Sequence, residues 1–393
     1  MNHLRLLQTA LLLTQAPIAV SATTWFVNGV NGSDSYNCKS QVTACKTIGR
    51  AISLSASGDS ITVAAATYCE DVTIGVSLTM TGSGASNTII GCGPPSVVTI
   101  PNPAANVTLS NVTLSNGRAV YGGGVYNKGT LTINNSVITK NLATEGYPFP
   151  YQNVIGLGGG IYNTGTLTIN RTTISANLVR AYVWAHGGGI YNLGKLTINA
   201  STVSGNETIH GSGYCVGAGC GAAGGGIDNA GGTLAINNST IAGNSYFQNP
   251  AGGGGIVSGG ILSIHSSTVS GNLGGIVGVA TLQNSIIANN GSGGNCNGPV
   301  MSIFSLSSDG TCHLNGPGDM NNTNPRLGAL GYYGGPTQTI PLLSGSPAID
   351  AGNPSGCTDA LGHLLTTDQR GLPRPDSEDR SGCDMGAYES QSD

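Results

Sequence analysis

Between Gly122 and Asn272 the chain writes one unit of about 20 residues five times over. The copies read GGGVYNKGTLTINNSVITKN, GGGIYNTGTLTINRTTISAN, GGGIYNLGKLTINASTVSGN, GGGIDNAGGTLAINNSTIAGN and GGGIVSGGILSIHSSTVSGN, and a degenerate sixth runs from Gly274 to Asn290. A short fixed period is the mark of a solenoid, in which each unit buries its apolar side only by stacking on the next. It also divides the chain into what the repeat needs and what is inserted between copies.

Each unit carries three short β-prone runs. In the second copy they are Gly160–Asn163, Thr166–Ile169 and Thr172–Ser175, with corners at Thr164-Gly165, Asn170-Arg171 and Asn177. Leu167 and Ile169 lie two apart and so share one side of a strand. Ile161 and Ile174 supply one apolar side chain to each of the other runs. Three strands and three corners describe one triangular coil, whose backbone groups are satisfied by coils above and below at about 4.8 Å. The expected fold is all-β: a single-stranded right-handed parallel β-helix with ladders of Ile, Leu and Val inside. The recurrent Asn134, Asn170, Asn199 and Asn237 are expected at corners, because Asn tolerates the left-handed conformation. Low aromatic (5%) and charged (8%) content suits a narrow tube. The units lack the leucine spacing and helical segment of a leucine-rich horseshoe, and the apolar ladder excludes a collagen-like or disordered chain despite 64 glycines.

A net charge of −4 gives no basic footprint for nucleic acid and no polybasic membrane patch. Residues 1–22 read as a signal peptide: His3 and Arg5, an apolar run Leu6–Val20 broken by Pro17, then the small residues Val20-Ser21-Ala22. No later run is long and apolar enough to span a membrane. Ten cysteines follow the leader, an even number that suits an oxidising compartment. Connectivity is not readable from sequence, but close pairs suggest Cys38–Cys45, Cys69–Cys92, Cys215–Cys220, Cys296–Cys312 and Cys357–Cys383. No CxxC or HxxxH spacing calls for a metal. The expected location is secreted or attached to the outer surface.

An open solenoid needs both ends covered. Residues 23–115 read as an N-terminal cap with the first coils: a strand at Trp25–Val27, one short amphipathic helix within Lys46–Ser57, then strand patterns at Ser60–Ala65 and Val72–Thr81. The stretch "VNGVNGSDSYNC…ACKTIGRAISLSASGDSITVAAATY" resembles the start of secreted pectate-lyase-like β-helix proteins. Residues 116–323 form the repeat region, and 324–393 form an irregular C-terminal cap. That cap carries "NPRLGAL", "GGPTQT", "LLSGSPAIDAG", "TDQRGLPRP" and "CDMGAYE", whose order and spacing over Asn324–Glu389 resemble choice-of-anchor Q domains. The repeats resemble those of polymorphic outer-membrane proteins. Together these resemblances imply a secreted or surface-attached bacterial β-helix protein, although no surface-sorting segment follows Glu389 here.

Catalysis by a polysaccharide-cleaving β-helix needs clustered charge, and hydrolysis needs paired carboxylates. Between Gly122 and Asn290 the acids are Glu145, Glu207 and Asp228, and the bases Lys128, Lys140, Arg171, Arg180 and Lys195. Asp228 stands where earlier copies have Tyr126, Tyr162 and Tyr191, an expected exterior ladder of structural rings; its expected neighbour is Lys195. No second acid recurs at that face, so no catalytic residue is assigned. The C-terminal block holds Asp350, Asp359, Asp368, Asp376, Glu378, Asp379, Asp384 and Glu389 among Arg370, Arg374 and Arg380. These carboxylates have the chemistry Ca²⁺ takes, but no EF-hand or nonapeptide motif is present, and internal Asp–Arg pairing is the expected arrangement. No cofactor is required. Sequons such as Asn106, Asn170, Asn199 and Asn206 coincide with the repeat's corner pattern and read as turn chemistry.

The segments between copies are Leu142–Leu157, Leu178–His186, Glu207–Ala223 and Ser245–Gly252. All follow the Asn that ends a copy, so all should leave the rod at one corner. Eight of the chain's 18 Tyr and Phe and 2 Trp residues fall there: Tyr147, Phe149, Tyr151, Tyr182, Trp184, Tyr214, Tyr246 and Phe247. Loops on one side of a solenoid are often its binding surface, and exposed rings stack on sugars. These eight are the expected ligand-binding residues, and a polysaccharide or cell-surface glycan the expected partner. Three functions stay open: a non-catalytic, adhesin-like glycan binder; a polysaccharide lyase or glycoside hydrolase acting on acidic polysaccharide; and a structural envelope or matrix component.

Overall fold

Each repeat copy is one coil of a tube in the computed structural model, which describes residues 21–144, 155–210, 221–247, 253–376 and 382–391. The second copy supplies strands Ile161–Asn163, Thr166–Asn170 and Thr173–Ser175, within a residue of the boundaries read from sequence. Each pairs in parallel, and in register, with its equivalents in adjacent coils: Tyr162 with Tyr126 and Tyr191, Leu167 with Leu131 and Leu196, Ile174 with Ile138 and Val203. Stacking builds a nine-stranded tyrosine face, an eleven-stranded long face and a ten-stranded third face. Eleven rungs make a rod roughly 50 Å long. The expected right-handed parallel β-helix is the fold. Residues 1–20, within the expected signal peptide, lie outside the described residues, and among the described residues no helix is long and apolar enough to cross a membrane.

The interior follows from strand periodicity. Alternate residues of the long face (Leu131 and Ile133, Leu167 and Ile169, Leu196 and Ile198, Leu234 and Ile236) are fully buried, and Ile161, Ile190, Ile174 and Val203 meet them from the other two faces. A narrow tube leaves its corner amides short of water, and buried polar groups must find partners inside. Asn141, Asn177, Asn206, Asn244, Asn272 and Asn290 solve this at one corner. Each side-chain NH₂ donates to the next asparagine's carbonyl oxygen at 2.9–3.0 Å. Asn127, Asn163, Asn192 and Asn229 do the same at a second corner, at 2.7–2.8 Å. Asn206 is fully buried, which removes it as a glycan acceptor.

The third corner corrects one expectation. Asn134, Asn170, Asn199 and Asn237 end the long strands and form a ladder of their own at 2.8–2.9 Å, half-buried at Asn134, Asn170 and Asn199 and buried at Asn237. The left-handed backbone belongs to the residue after each: Asn135 (φ 47°), Arg171 (46°), Ala200 (46°) and Asn238 (52°). The chain turns there, so Asn is retained one position earlier for its side-chain amide and not for its backbone tolerance.

The end near the N-terminus is covered by the α-helix Ile48–Leu54, which falls within the expected window. Thr47 caps it by accepting from the Arg50 amide at 3.2 Å, and Ile48 and Ala51 are its buried residues. Disulfides join Cys38 to Cys45, Cys69 to Cys92, Cys296 to Cys312 and Cys357 to Cys383. Cys215 and Cys220 lie outside the described residues.

Residues from Asn324 onward do more than close an end. They run back along the outside of the third face. Gln369 is the hub of that seam: its amide donates to Thr202 Oγ1, Thr337 Oγ1 and the Gln338 carbonyl at 2.8–3.0 Å, and it accepts from Thr240 Oγ1 at 2.6 Å. Leu342, Ala348 and Met385 pack on Ile286, Ala288 and Leu306. Inside the segment Arg370 pairs with Asp368 at 2.7 Å and Arg374 with Glu389 at 2.6 Å, and the Arg370 guanidinium lies 3.7 Å over the Tyr388 ring. Glu378, Asp379 and Arg380 lie outside the described residues.

Candidate functional site

The segments between copies are strands. Leu142–Thr144, Leu178–Ala181, Glu207–His210 and Ser245–Phe247 leave the tube and, with Arg118–Ala119, make a five-stranded sheet. Ile155–Leu157, Trp184–His186 and Gly221–Ala223 return as a three-stranded sheet. The two sheets close on a small core of Ala143, Val179, Ala181, Ala185, Ala222 and Tyr246. The result is a two-layered blade standing on one corner of the tube. The sequence reading of free loops missed it because runs such as LAT and WAH are too short to show a period; the coil stacking supplies the pairing that local propensity does not.

The glycine triplet turns the blade back into the tube. Gly187 holds φ 66°, in the left-handed region. A Cβ on Gly188 would collide with the Gly225 carbonyl of the next rung. This tight bend brings two rows of side chains face to face. On the tube stand Tyr126, Tyr162, Tyr191 and Asp228, in register. On the blade stand Tyr121, Leu157, His186 and Ala223. Tyr126 stacks on Tyr162 at 5.4 Å and Tyr162 on Tyr191 at 5.6 Å, with planes within 6°. Tyr121 leans across to Tyr162 at 5.2 Å, and the Lys128 ammonium sits 5.4 Å over Tyr126. Trp184 forms the rim, 46% exposed, with its ring 6.0 Å from that of His186.

At the upper end of this trough the tyrosine row changes to a carboxylate. Asp228 is buried, and its Oδ2 meets His186 Nδ1 at 2.6 Å, with side-chain exposures of 5% and 25%. This corrects the expected neighbour: Lys195 heads a long-face strand, paired between Thr166 and Thr233, whereas the blade delivers His186. A carboxylate only accepts, so Nδ1 is the donor of this contact and Nε2 is the ring nitrogen turned away from Asp228. Tyr191 lies edge-on to His186, 6.4 Å between ring centres. Its phenol is pushed up to about 12, first by burial, then by the charge of Asp228 and by Tyr162. Burial and the neighbouring tyrosines raise Tyr162 in the same direction. Both rings stay protonated donors at neutral pH.

The expected ligand residues fall in three places. Trp184 borders the trough, and Tyr182 sits in the turn just before it, 40% exposed. Tyr246 is an interior residue of the blade, 6% exposed, so its ring is spent on packing. Phe247 is exposed but follows Tyr246 on the outer side of the five-stranded sheet, across the blade from Trp184. Tyr147, Phe149, Tyr151 and Tyr214 lie outside the described residues. His186 was not singled out from sequence. The trace it leaves is an exception in two copies: a histidine immediately before GGG, and an aspartate at the tyrosine position of the next copy. Among the described residues no group of three or more His, Cys, Asp and Glu side chains gathers as metal ligands do.

No family model matches this chain, and no curated protein does. Among solved structures, the pectate lyase Pel9A aligns with a TM-score of 0.54 at 14% identity, over 94% of this chain and 97% of that one. The fold is pectate-lyase-like. Pectin methylesterase PemA from Erwinia chrysanthemi aligns at a TM-score of 0.32 and 12% identity, over 73% of this chain and 90% of that one, a likeness too remote to add to the argument.

Proposed function

We propose that this protein is a secreted or surface-associated carbohydrate-binding β-helix that holds a polysaccharide in the trough between the tyrosine face and the blade. The observation that carries the proposal is the row of stacked rings Tyr126, Tyr162 and Tyr191 bordered by Trp184. Trp184 on the rim offers a ring face to the apolar face of a sugar, while the three tyrosines, whose faces are taken up by one another, offer ring edges and phenol hydroxyls for hydrogen bonds. The rung spacing repeats these contacts along the rod, as a polymer requires. The pectate-lyase-like fold adds support, since Pel9A is by its name a polysaccharide-acting protein. The four described disulfides fit an oxidising, extracellular setting. The resemblance of Asn324–Glu389 to choice-of-anchor Q domains, and of the copies to polymorphic outer-membrane protein repeats, supports the cell surface.

Retention of the protein in gels carrying polygalacturonate, pectin, xylan or alginate tests this. Wild type should be retarded by at least one of them. Trp184→Ala should weaken retention roughly tenfold, the loss of one stacked ring. Phe247→Ala, on the far side of the blade, should leave it unchanged. Equal behaviour of the two variants, or no retention across the panel, refutes the trough as a glycan site and leaves the structural role.

A further inference from the structure

We propose that His186 and Asp228 activate water to hydrolyse an ester borne by the glycan in the trough. This deepens the carbohydrate reading and rests on it. Three observations carry it. Asp228 follows three tyrosines in its row, which continues as Val257 and Val277, and it is buried there, which is unfavourable without a close partner. That partner is an imidazole held at 2.6 Å through Nδ1, which leaves Nε2 as the nitrogen available to a ligand. Tyr191, whose phenol stays protonated, stands beside both. Among the described residues no other histidine is paired with a buried carboxylate and open to solvent: His363 pairs with the more exposed Asp359 on the surface.

This set fits ester hydrolysis better than glycosidic hydrolysis. A glycosidase places two carboxyl groups across the scissile bond. Among the described residues this trough offers one, already bound to a histidine. An ester needs a base for water and a donor for the developing oxyanion. In the step, Nε2 of His186 takes one proton from water while the hydroxyl oxygen bonds to the acyl carbon. The carbonyl π pair moves to its oxygen, which accepts a hydrogen bond from Tyr191. Collapse breaks the acyl carbon–alcohol oxygen bond, and the imidazolium returns its proton to the departing alcohol oxygen. One water and one ester give one acid and one alcohol, and the protein is unchanged. His186 is the catalytic base. Asp228 is a positioning residue that fixes the ring's tautomer and steadies the imidazolium.

The full-length secreted protein is assayed with p-nitrophenyl acetate, acetylated xylan and methyl-esterified pectin, reading p-nitrophenol, acetate and methanol, alongside gel retention on the same glycans. Wild type should release acetate or methanol. His186→Gln, which keeps a donor for Asp228 but moves no proton, should lower kcat/KM by on the order of 10²–10⁴-fold while retention stays at the wild-type level. Asp228→Asn should lower kcat/KM, alter its pH profile and abolish the Nδ1-protonated ¹⁵N signature of His186. Retention without ester release, or release unchanged in His186→Gln, overturns the catalytic pair and leaves the binding reading standing. Appearance of unsaturated ends overturns it in favour of elimination. Ester release that depends on His186, without retention on any glycan, overturns the carbohydrate reading and keeps the pair.

Discussion

The buried asparagine ladder makes the sharpest energetic prediction. In Asn206→Ala, four contacts lose their partner or their donor. Asn206 Oδ1 accepts from both the backbone and side-chain nitrogens of Asn177, at 3.0 and 2.9 Å. Its Nδ2 donates to the Ile174 carbonyl at 2.9 Å and to Asn244 Oδ1 at 3.0 Å. Asn244 Oδ1 keeps a donor, the Asn206 backbone amide, at 3.0 Å. Two buried donors are therefore orphaned, the Asn177 backbone amide and one of its side-chain N–H groups; the other side-chain N–H still reaches the Ile138 carbonyl at 2.9 Å, and the Ile174 carbonyl stays within the strand pairing to Thr202–Ser204. Each orphan costs about 1–3 kcal/mol when water cannot reach it, so the variant should lose roughly 4 kcal/mol. Asn199→Ala is the matched control. It also breaks two ladder bonds, to Asn170 and from Asn237, at 2.9 Å, but Asn170 and the vacated site are half-buried, so water substitutes there and only the buried Asn237 amide is left short; roughly 1–2 kcal/mol should be lost. Urea denaturation followed by far-UV circular dichroism compares the two, with similar m-values confirming that the same surface is exposed. If Asn206→Ala falls within about 1 kcal/mol of Asn199→Ala, desolvation is not what makes the inner ladder count, and the reasoning fails.

Three further outcomes follow from the charges. Burial holds His265 below its usual pKa, while its unfolded form protonates near 6.5; the folded state therefore binds the proton less well, and this contribution, present above that value, is lost as pH falls through it. The melting temperature should drop between pH 7.5 and 5, and His265→Asn, which restores the residue Asn237 has in the rung below, should reduce the drop; an equal drop in both proteins rules the histidine out. Glu389→Gln leaves the fully buried Arg374 without its countercharge, which should cost about 3–5 kcal/mol and render residues 324–391 sensitive to protease before the tube is cut; simultaneous loss of both would show that the segment is not separately anchored. Spectrophotometric titration should show a tyrosine ionising near 12 in wild type, and Asp228→Asn should move it down, because the charge that opposes phenolate formation is gone; no movement would separate Tyr191 from Asp228.

Much of the tube was legible because its determinants are local and repeated. Alternation of Leu167 with Ile169 states which side of a strand is inside, and the fixed interval states that the next copy lies above. Thr166 therefore pairs with Thr130 and Lys195, as the spacing requires. The blade was not legible. Leu178–Ala181 and Trp184–His186 have no period of their own, and only the coils beneath hold them in stack. The asparagines show a subtler limit. Their recurrence marked corners correctly, but the same residue type serves turn backbone and side-chain ladder equally well, and only the observed φ at Arg171 and Ala200 separates the two roles. The C-terminal segment was misplaced for a related reason: Gln369 reaches Thr202 across 167 residues, a contact that composition cannot announce.

The trough joins a legible and an illegible part, and that is why its chemistry was hidden. Reading down the five copies shows Tyr, Tyr, Tyr, Asp, Val at one position, which alone looks like a worn repeat. His186 stands 42 residues before Asp228 and belongs to an insertion. Yet the insertion that carries it is compact: only Tyr182 and Val183 separate its outgoing strand, Leu178–Ala181, from its return strand, Trp184–His186. A two-residue turn fixes the return strand's register, and the left-handed Gly187 then fixes the angle at which His186 faces the tube. The carboxylate sits one rung above, in the strand that pairs with Tyr191, so the pair is set by stacking and not by sequence proximity. A solenoid tolerates such a substitution because each rung answers chiefly to its neighbours. Aspartate at the tyrosine rung is accepted where a histidine from the blade is in place to receive it. On this argument Tyr191→Asp, one rung lower, should destabilise the protein: the blade residue one rung below His186 is Leu157, which leaves the new buried carboxylate without a comparable partner. A Tyr191→Asp variant as stable as wild type would show that the blade does not select the charge.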